Sequence, residues 1–146
     1  MKEKVLEIVG LLEEKLINFA SDLVKIKSRT GEEGEVVKRI AEEMRSLEYD
    51  EVFIDKVGNV IGKIGNGNEK LLFDSHVDNV DVNDYEEWKY DPYGGVIKDG
   101  KLYGRGASDM KASVAASVYA GAVMKRIGLP QSKTVYVCCS VMEEDF

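Results

Sequence analysis

The period of the apolar residues changes repeatedly along this chain, and that alternation restricts the fold more than any single motif does. Val5, Ile8, Val9, Leu12, Leu16, Phe19, Leu23, Val24 and Ile26 form a helical stripe across residues 2–27, with Glu and Lys on the other side. Ser28-Arg29-Thr30-Gly31 ends it. A second helix is predicted over residues 33–47, with Val36, Val37, Ile40, Ala41 and Met44 inward. Short strand-like runs follow at 52–54, 59–64 and 70–75, the last read as a buried strand. Gly65-Asn66-Gly67-Asn68 has the composition of a hairpin turn between the second and third runs. Residues 79–107 are irregular apart from a small hairpin around Asp99-Gly100. Ser108 is expected to cap an alanine-rich helix reaching about Ile127, which Gly128-Leu129-Pro130 stops before a final strand over 134–142. Helices alternating with apolar strands predict an α/β fold, a layered sheet flanked by helices, with residues 1–146 as one domain.

Charge narrows the partners. Twenty Lys and Arg against 27 Asp and Glu give a net charge of −7, which repels nucleic acid and anionic membrane. The longest weakly polar stretch, residues 112–124, is shorter than the ~20 residues of a membrane helix. The start, Met1-Lys2-Glu3-Lys4, leads into an amphipathic helix and not a signal peptide, so a cytoplasmic protein is expected. Cys138 and Cys139 are adjacent in a strand and face opposite ways, so they read as free, small hydrophobes.

Three acidic motifs carry the chemistry. The apolar run Leu71-Leu72-Phe73-Asp74-Ser75 ends in the chain's only histidine, His76, with Asp78 two residues on. Side chains two apart on a strand leave from the same face, so Asp78 can bond one ring nitrogen and present the other to a metal. Gly104-Arg105-Gly106-Ala107-Ser108-Asp109 puts a carboxylate at a helix start, after glycines that permit a sharp turn. Glu143-Glu144 follows the last strand, where opposite-facing neighbours can divide two roles, one ligating and one acting as general base. Each motif also has a plain reading: a hydrogen-bonded histidine, a helix cap, an acidic tail.

Taken in order and spacing, Asp74-Ser75-His76-Val77-Asp78, Gly104 to Lys111 and Glu143-Glu144 resemble the co-catalytic zinc aminoacylase and carboxypeptidase family. That family includes acetylornithine deacetylase and succinyl-diaminopimelate desuccinylase. Thr30-Gly31-Glu32-Glu33-Gly34 and the stretch from Asp55 to Gly62 are also similar to its amino-terminal half. The resemblance implies the front half of a zinc-exopeptidase-like catalytic domain holding two divalent cations, with Zn expected before Co or Mn. It implies that His76 binds one cation, Asp109 bridges both and Glu144 binds the other. Asp78 would orient His76, and Glu143 would activate the attacking water. The implied reaction is hydrolysis of the amide bond of an N-acyl amino acid or small peptide.

The family pattern also carries a further acidic ligand, an inserted lid and dimerisation domain, and a second ligating histidine, none of which this sequence contains. With one terminal ligand per cation and a share of Asp109, zinc falls short of its usual three protein ligands. The chain is therefore expected to be a truncated catalytic-domain fragment, inactive by itself, that self-associates or pairs with a missing carboxyl-terminal part. A terminal exposed Phe146 would fit such a fragment. The alternatives are one half of a split enzyme, or a non-catalytic interaction or metal-binding module.

Overall fold

The computed structural model describes residues 1–145, and the expectation attached to Phe146 falls outside them. The two helical stripes form α1 (Lys2–Lys25) and α2 (Gly34–Ser46). Strands β1 (Glu51–Ile54), β2 (Val60–Gly65) and β3 (Glu69–His76) follow. A small hairpin of β4 (Val96–Lys98) and β5 (Lys101–Tyr103) precedes α3 (Ala112–Ile127) and β6 (Lys133–Ser140). The α/β class read from the sequence is the observed one. The four-stranded sheet has the order β1-β2-β6-β3, with β6 antiparallel to β2 and parallel to β3.

That order corrects two expectations. Gly65-Asn66-Gly67-Asn68 is not a hairpin turn, because β6 lies between β2 and β3. The segment instead crosses the end of β6: the Gly67 N–H donates to the Lys133 carbonyl at 3.1 Å, and Thr134 Oγ1 donates to the Gly67 carbonyl at 2.7 Å. Turn composition reports local backbone freedom and says nothing of a distant strand that fills the gap. Nor is β3 a buried strand. It is one of the sheet's two edge strands among the described residues, with Leu71 50% and Leu72 60% exposed, and only its Ser75 and His76 are buried.

Alternate residues of the central strands, Val60 and Ile64 on β2 and Val135, Val137 and Cys139 on β6, join the helices' apolar faces in one core. Both cysteines are free, Cys139 buried and Cys138 half-buried. Tyr49 wedges between sheet and helix. Its ring covers Gly62, and its hydroxyl donates to the Val118 carbonyl at 2.6 Å beside Gly121. A Cβ at position 121 would fall 1.9 Å from that hydroxyl oxygen. Gly121→Ala gains about 1 kcal/mol of helix propensity. The clash costs up to about 3 kcal/mol, since the phenol has no free space to retreat into. A net loss of about 2 kcal/mol is expected as a lower urea midpoint, and an unchanged midpoint would contradict the wedge.

Candidate metal centre

Because β3 and β6 run parallel, their carboxyl ends lie at one edge of the sheet, and His76 pairs in register with Ser140. Ligands in α/β folds gather at that edge. His76 and Asp78 leave from β3, and Glu143 and Glu144 from the chain just beyond β6. Asp109 lies in the segment that enters α3, the helix that crosses over between the two strands. The topology thus gathers three motifs that are far apart in sequence.

His76 Nε2 lies 3.1 Å from Asp109 Oδ1 and 3.7 Å from Glu143 Oε2. One ligand atom from each of His76, Asp109 and Glu144 lies within 4.8 Å of the others. On its other side the imidazole meets the Asp78 main-chain carbonyl, 3.1 Å from Nδ1, with the Asp78 carboxylate at 3.5 Å. If Nδ1–H donates to that carbonyl, neutral His76 turns a bare lone pair toward two carboxylates. Such a contact calls for positive charge between the groups, either a proton on the ring or a cation. Burial opposes the charged imidazole. Even so, the hydrogen bond to Asp109, the Asp78 carbonyl and the Glu143 and Asp78 charges hold its pKa above the ordinary 6.5. Glu144 sits above the ordinary 4.5, raised by burial and by Asp109, Glu143 and Asp78 against the pull of His76. A donor set of one imidazole and carboxylates, crowded and short of positive charge, fits a divalent cation.

The Asp78 side chain is fully buried, and it does more than face His76. It accepts hydrogen bonds from Thr30 Oγ1 at 2.8 Å and from the main-chain N–H groups of Glu143 and Glu144, each at 3.0 Å. Burial pushes its pKa up, but those donors outweigh it and hold the carboxyl below the ordinary 3.8. The two preceding N–H groups are also caught by side chains, Val141 by Asn59 Oδ1 and Met142 by Glu33 Oε1, both at 3.0 Å. Met142 itself takes a left-handed φ of 62°. Glu143 and Glu144 therefore sit in a bend beyond β6, and side-chain acceptors place them, not the two-residue period of a strand.

Asp109 also differs from its expectation. It does not occupy the first turn of a helix, since α3 begins at Ala112, and Ser108 makes no capping bond. Asp109 has an extended φ of −126° and ψ of 101°, inside an irregular turn entered through Gly106 at φ 73°. Lys111 holds that turn. Its N–H donates to the Gly106 carbonyl at 2.8 Å, and its fully buried ammonium donates to the Ile26 carbonyl at 2.6 Å, at the C-terminal end of α1. Burial pushes Lys111 down to about 8, while the negative end of the helix dipole favours its charge. Sequence reasoning assigned no role to Lys111, and none to Thr30, Glu33 or Asn59 at this site. The one available signal was a lone cation entering an otherwise apolar, alanine-rich run.

Residues 72–145 match the family described as peptidase family M20/M25/M40. The chain is 41% identical over 130 residues to the protein YgeY of Escherichia coli strain K12, covering 89% of this chain and 32% of that protein. It is 31% identical over 137 residues to a probable succinyl-diaminopimelate desuccinylase of Staphylococcus epidermidis, covering 92% of this chain and 34% of that one. The fold superposes on human carnosine dipeptidase 1 with a TM-score of 0.83 at 22% identity, covering 97% of this chain and 35% of that one. The chain thus spans about a third of the length of these relatives. The matched stretch contains His76, Asp109 and Glu144, and the chain belongs to peptidase family M20/M25/M40.

Proposed function

We propose that this chain supplies the metal-binding core of a hydrolase that cleaves the amide bond of N-acyl amino acids or small peptides. The observation carrying this reading is the convergence of His76, Asp109 and Glu144 within 4.8 Å, with the Glu143 carboxylate beside them. Amide cleavage is also the chemistry shared by a desuccinylase and a dipeptidase, the activities named for two relatives. The cofactors are two divalent cations, zinc before cobalt or manganese. Bound there, they supply Lewis-acid polarisation of the scissile carbonyl and make water a stronger acid.

The chain's own residues do the rest. His76 would offer Nε2 to one cation, Glu144 would hold the other, and Asp109, with two carboxylate oxygens, would serve both. Glu143 takes the proton of the attacking water and returns it to the leaving amine. Asp78 holds the ring through its main-chain carbonyl and fixes the Glu143-Glu144 bend through its carboxylate.

With these ligands each cation would fall short of the usual three protein donors, so the remaining donors are assigned to the two-thirds of relative length that this chain does not span. We read residues 1–146 as part of one catalytic domain, with lid and dimerisation parts outside it. The exposed edge of β3 is where further strands or a second copy would add. The isolated chain is accordingly assigned weak metal binding and negligible turnover. We keep a cytoplasmic location as a proposal; no helix among the described residues is long and apolar enough to cross a membrane.

Calorimetric titration of the chain with zinc tests the reading. Weak binding is expected that depends on His76 and Asp109 and is lost in His76→Ala. Because the ring's pKa lies above 6.5, affinity should weaken as pH is lowered, starting while pH is still above that value, and then drop roughly tenfold for each further unit of acidification. The metal-free chain has the opposite sign: the stability His76 contributes is present below pH 6.5 and lost as pH rises through its folded pKa. Zinc affinity indifferent to pH and to His76→Ala would remove the metal centre, and two tight sites would remove the claim of missing ligands.

A further inference from the structure

Arg105 has no place in the chemistry above, although it sits in the same turn as Asp109. Like Arg45 and Arg126, Arg105 forms no ion pair among the described residues, whereas Arg29 pairs with Asp81 and Arg39 with Glu43 and Asp22. Its Nε is buried without a hydrogen-bond acceptor from the protein. A desolvated donor left unpaired costs about 1–3 kcal/mol. Its guanidinium lies over the Trp88 ring, 5.2 Å from the centroid. Two cavities meet at this residue. One, of about 270 Å³, contains Asp109 and Glu144 in its wall; the other, of about 490 Å³, is walled by Trp88, Tyr90 and Tyr103. Gly104 and Arg105 line both, whereas Asp84 and Glu87 line only the larger. Tyr90 and Tyr103 pack with ring centroids 4.8 Å apart and their planes inclined at 60°, so the two rings form an angled aromatic corner of the larger cavity.

We propose that Arg105 and this aromatic pocket form a substrate subsite: the guanidinium takes a carboxylate, and the pocket takes a flat apolar side group on the same ligand. The planar fork of an arginine matches a carboxylate with two parallel hydrogen bonds, and stacking on Trp88 holds the fork still. Position supports the assignment, because a ligand bridging the two cavities has its carboxylate at their junction and its neighbouring amide beside Asp109 and Glu144. The substrate class named here, an N-acylated or peptidyl amino acid with a free carboxylate and an aromatic side chain, rests on the amide-hydrolase reading.

Trp88 is the chain's only tryptophan, so its fluorescence reports the subsite directly. The 146-residue chain is titrated with N-acetylphenylalanine and with N-acetylphenylalaninamide, which lacks the carboxylate, in the presence and absence of zinc. Saturable quenching by the acid is expected, with the amide binding roughly tenfold weaker or more, the range of a charge-assisted hydrogen bond. Arg105→Gln should abolish the preference, and Arg105→Lys should restore only part of it, at urea midpoints matching the parent. Equal affinity for acid and amide, a preference that survives Arg105→Gln, or no saturable response to either ligand would overturn the subsite. Zinc binding is read separately. A chain that prefers the acid but binds no zinc would keep the subsite and lose the hydrolase, and the reverse result would do the opposite.

Discussion

Glu143→Gln, introduced into a protein that joins this chain to the remaining length found in its relatives, is expected to lower kcat about 1,000-fold while the bound metal is retained. General-base removal costs roughly 10²–10⁴ in rate, and the structure gives reasons to expect little collateral damage. The Glu143 side chain is exposed, so exchanging its carboxylate for an amide opens no cavity. Its main-chain N–H is anchored on Asp78 whatever the side chain carries, so the bend that presents Glu144 should persist. Glutamine keeps the shape and loses the basicity, and that isolates proton transfer. The measurements are kcat for an N-acyl amino acid and metal content per protein. A near-normal rate would move the base elsewhere; a fall in both rate and metal content would make Glu143 a ligand.

What the sequence could and could not reveal divides along the range of the interactions. The stripes of α1 and α2 are local in period, and both helices form within a few residues of the expected limits. The strands are legible for the same reason. Their order is not, because β6 enters between β2 and β3 from far along the chain. Ser108 looked like a cap because a serine before an alanine-rich run satisfies the local rule. The buried Lys111–Ile26 contact instead fixes an irregular turn there and delays α3 to Ala112. At the site, His76, Asp109 and Glu144 were legible as a set through their ordered motifs. The acceptors that shape the last bend were not: Asn59 and Glu33 act on residues 82 and 109 positions away, and no short motif encodes such a pairing.

The second large effect is expected at Asp78. Asp78→Ala should cost about 3 kcal/mol of stability and weaken zinc binding roughly 10–100-fold, the range for groups that hold ligands in place. The substitution strands the Thr30 hydroxyl and the N–H groups of Glu143 and Glu144 around a buried void, and each unpaired donor adds to the cost. Asp78→Asn should be milder, since its amide oxygen still accepts, although its NH₂ group now faces donors. A pH series separates this role from simple packing. The Asp78 carboxyl titrates below its ordinary 3.8, so its contribution is present above that pH and is lost as pH falls through the folded value. Urea midpoints of the parent chain should therefore decline more steeply than those of Asp78→Ala as pH drops below about 4, and the two should converge under acid. Parallel curves at every pH would mean that the side chain only fills space. The ligand effect would then need another source, because a carboxylate that merely packs has no reason to set where Glu144 stands relative to His76.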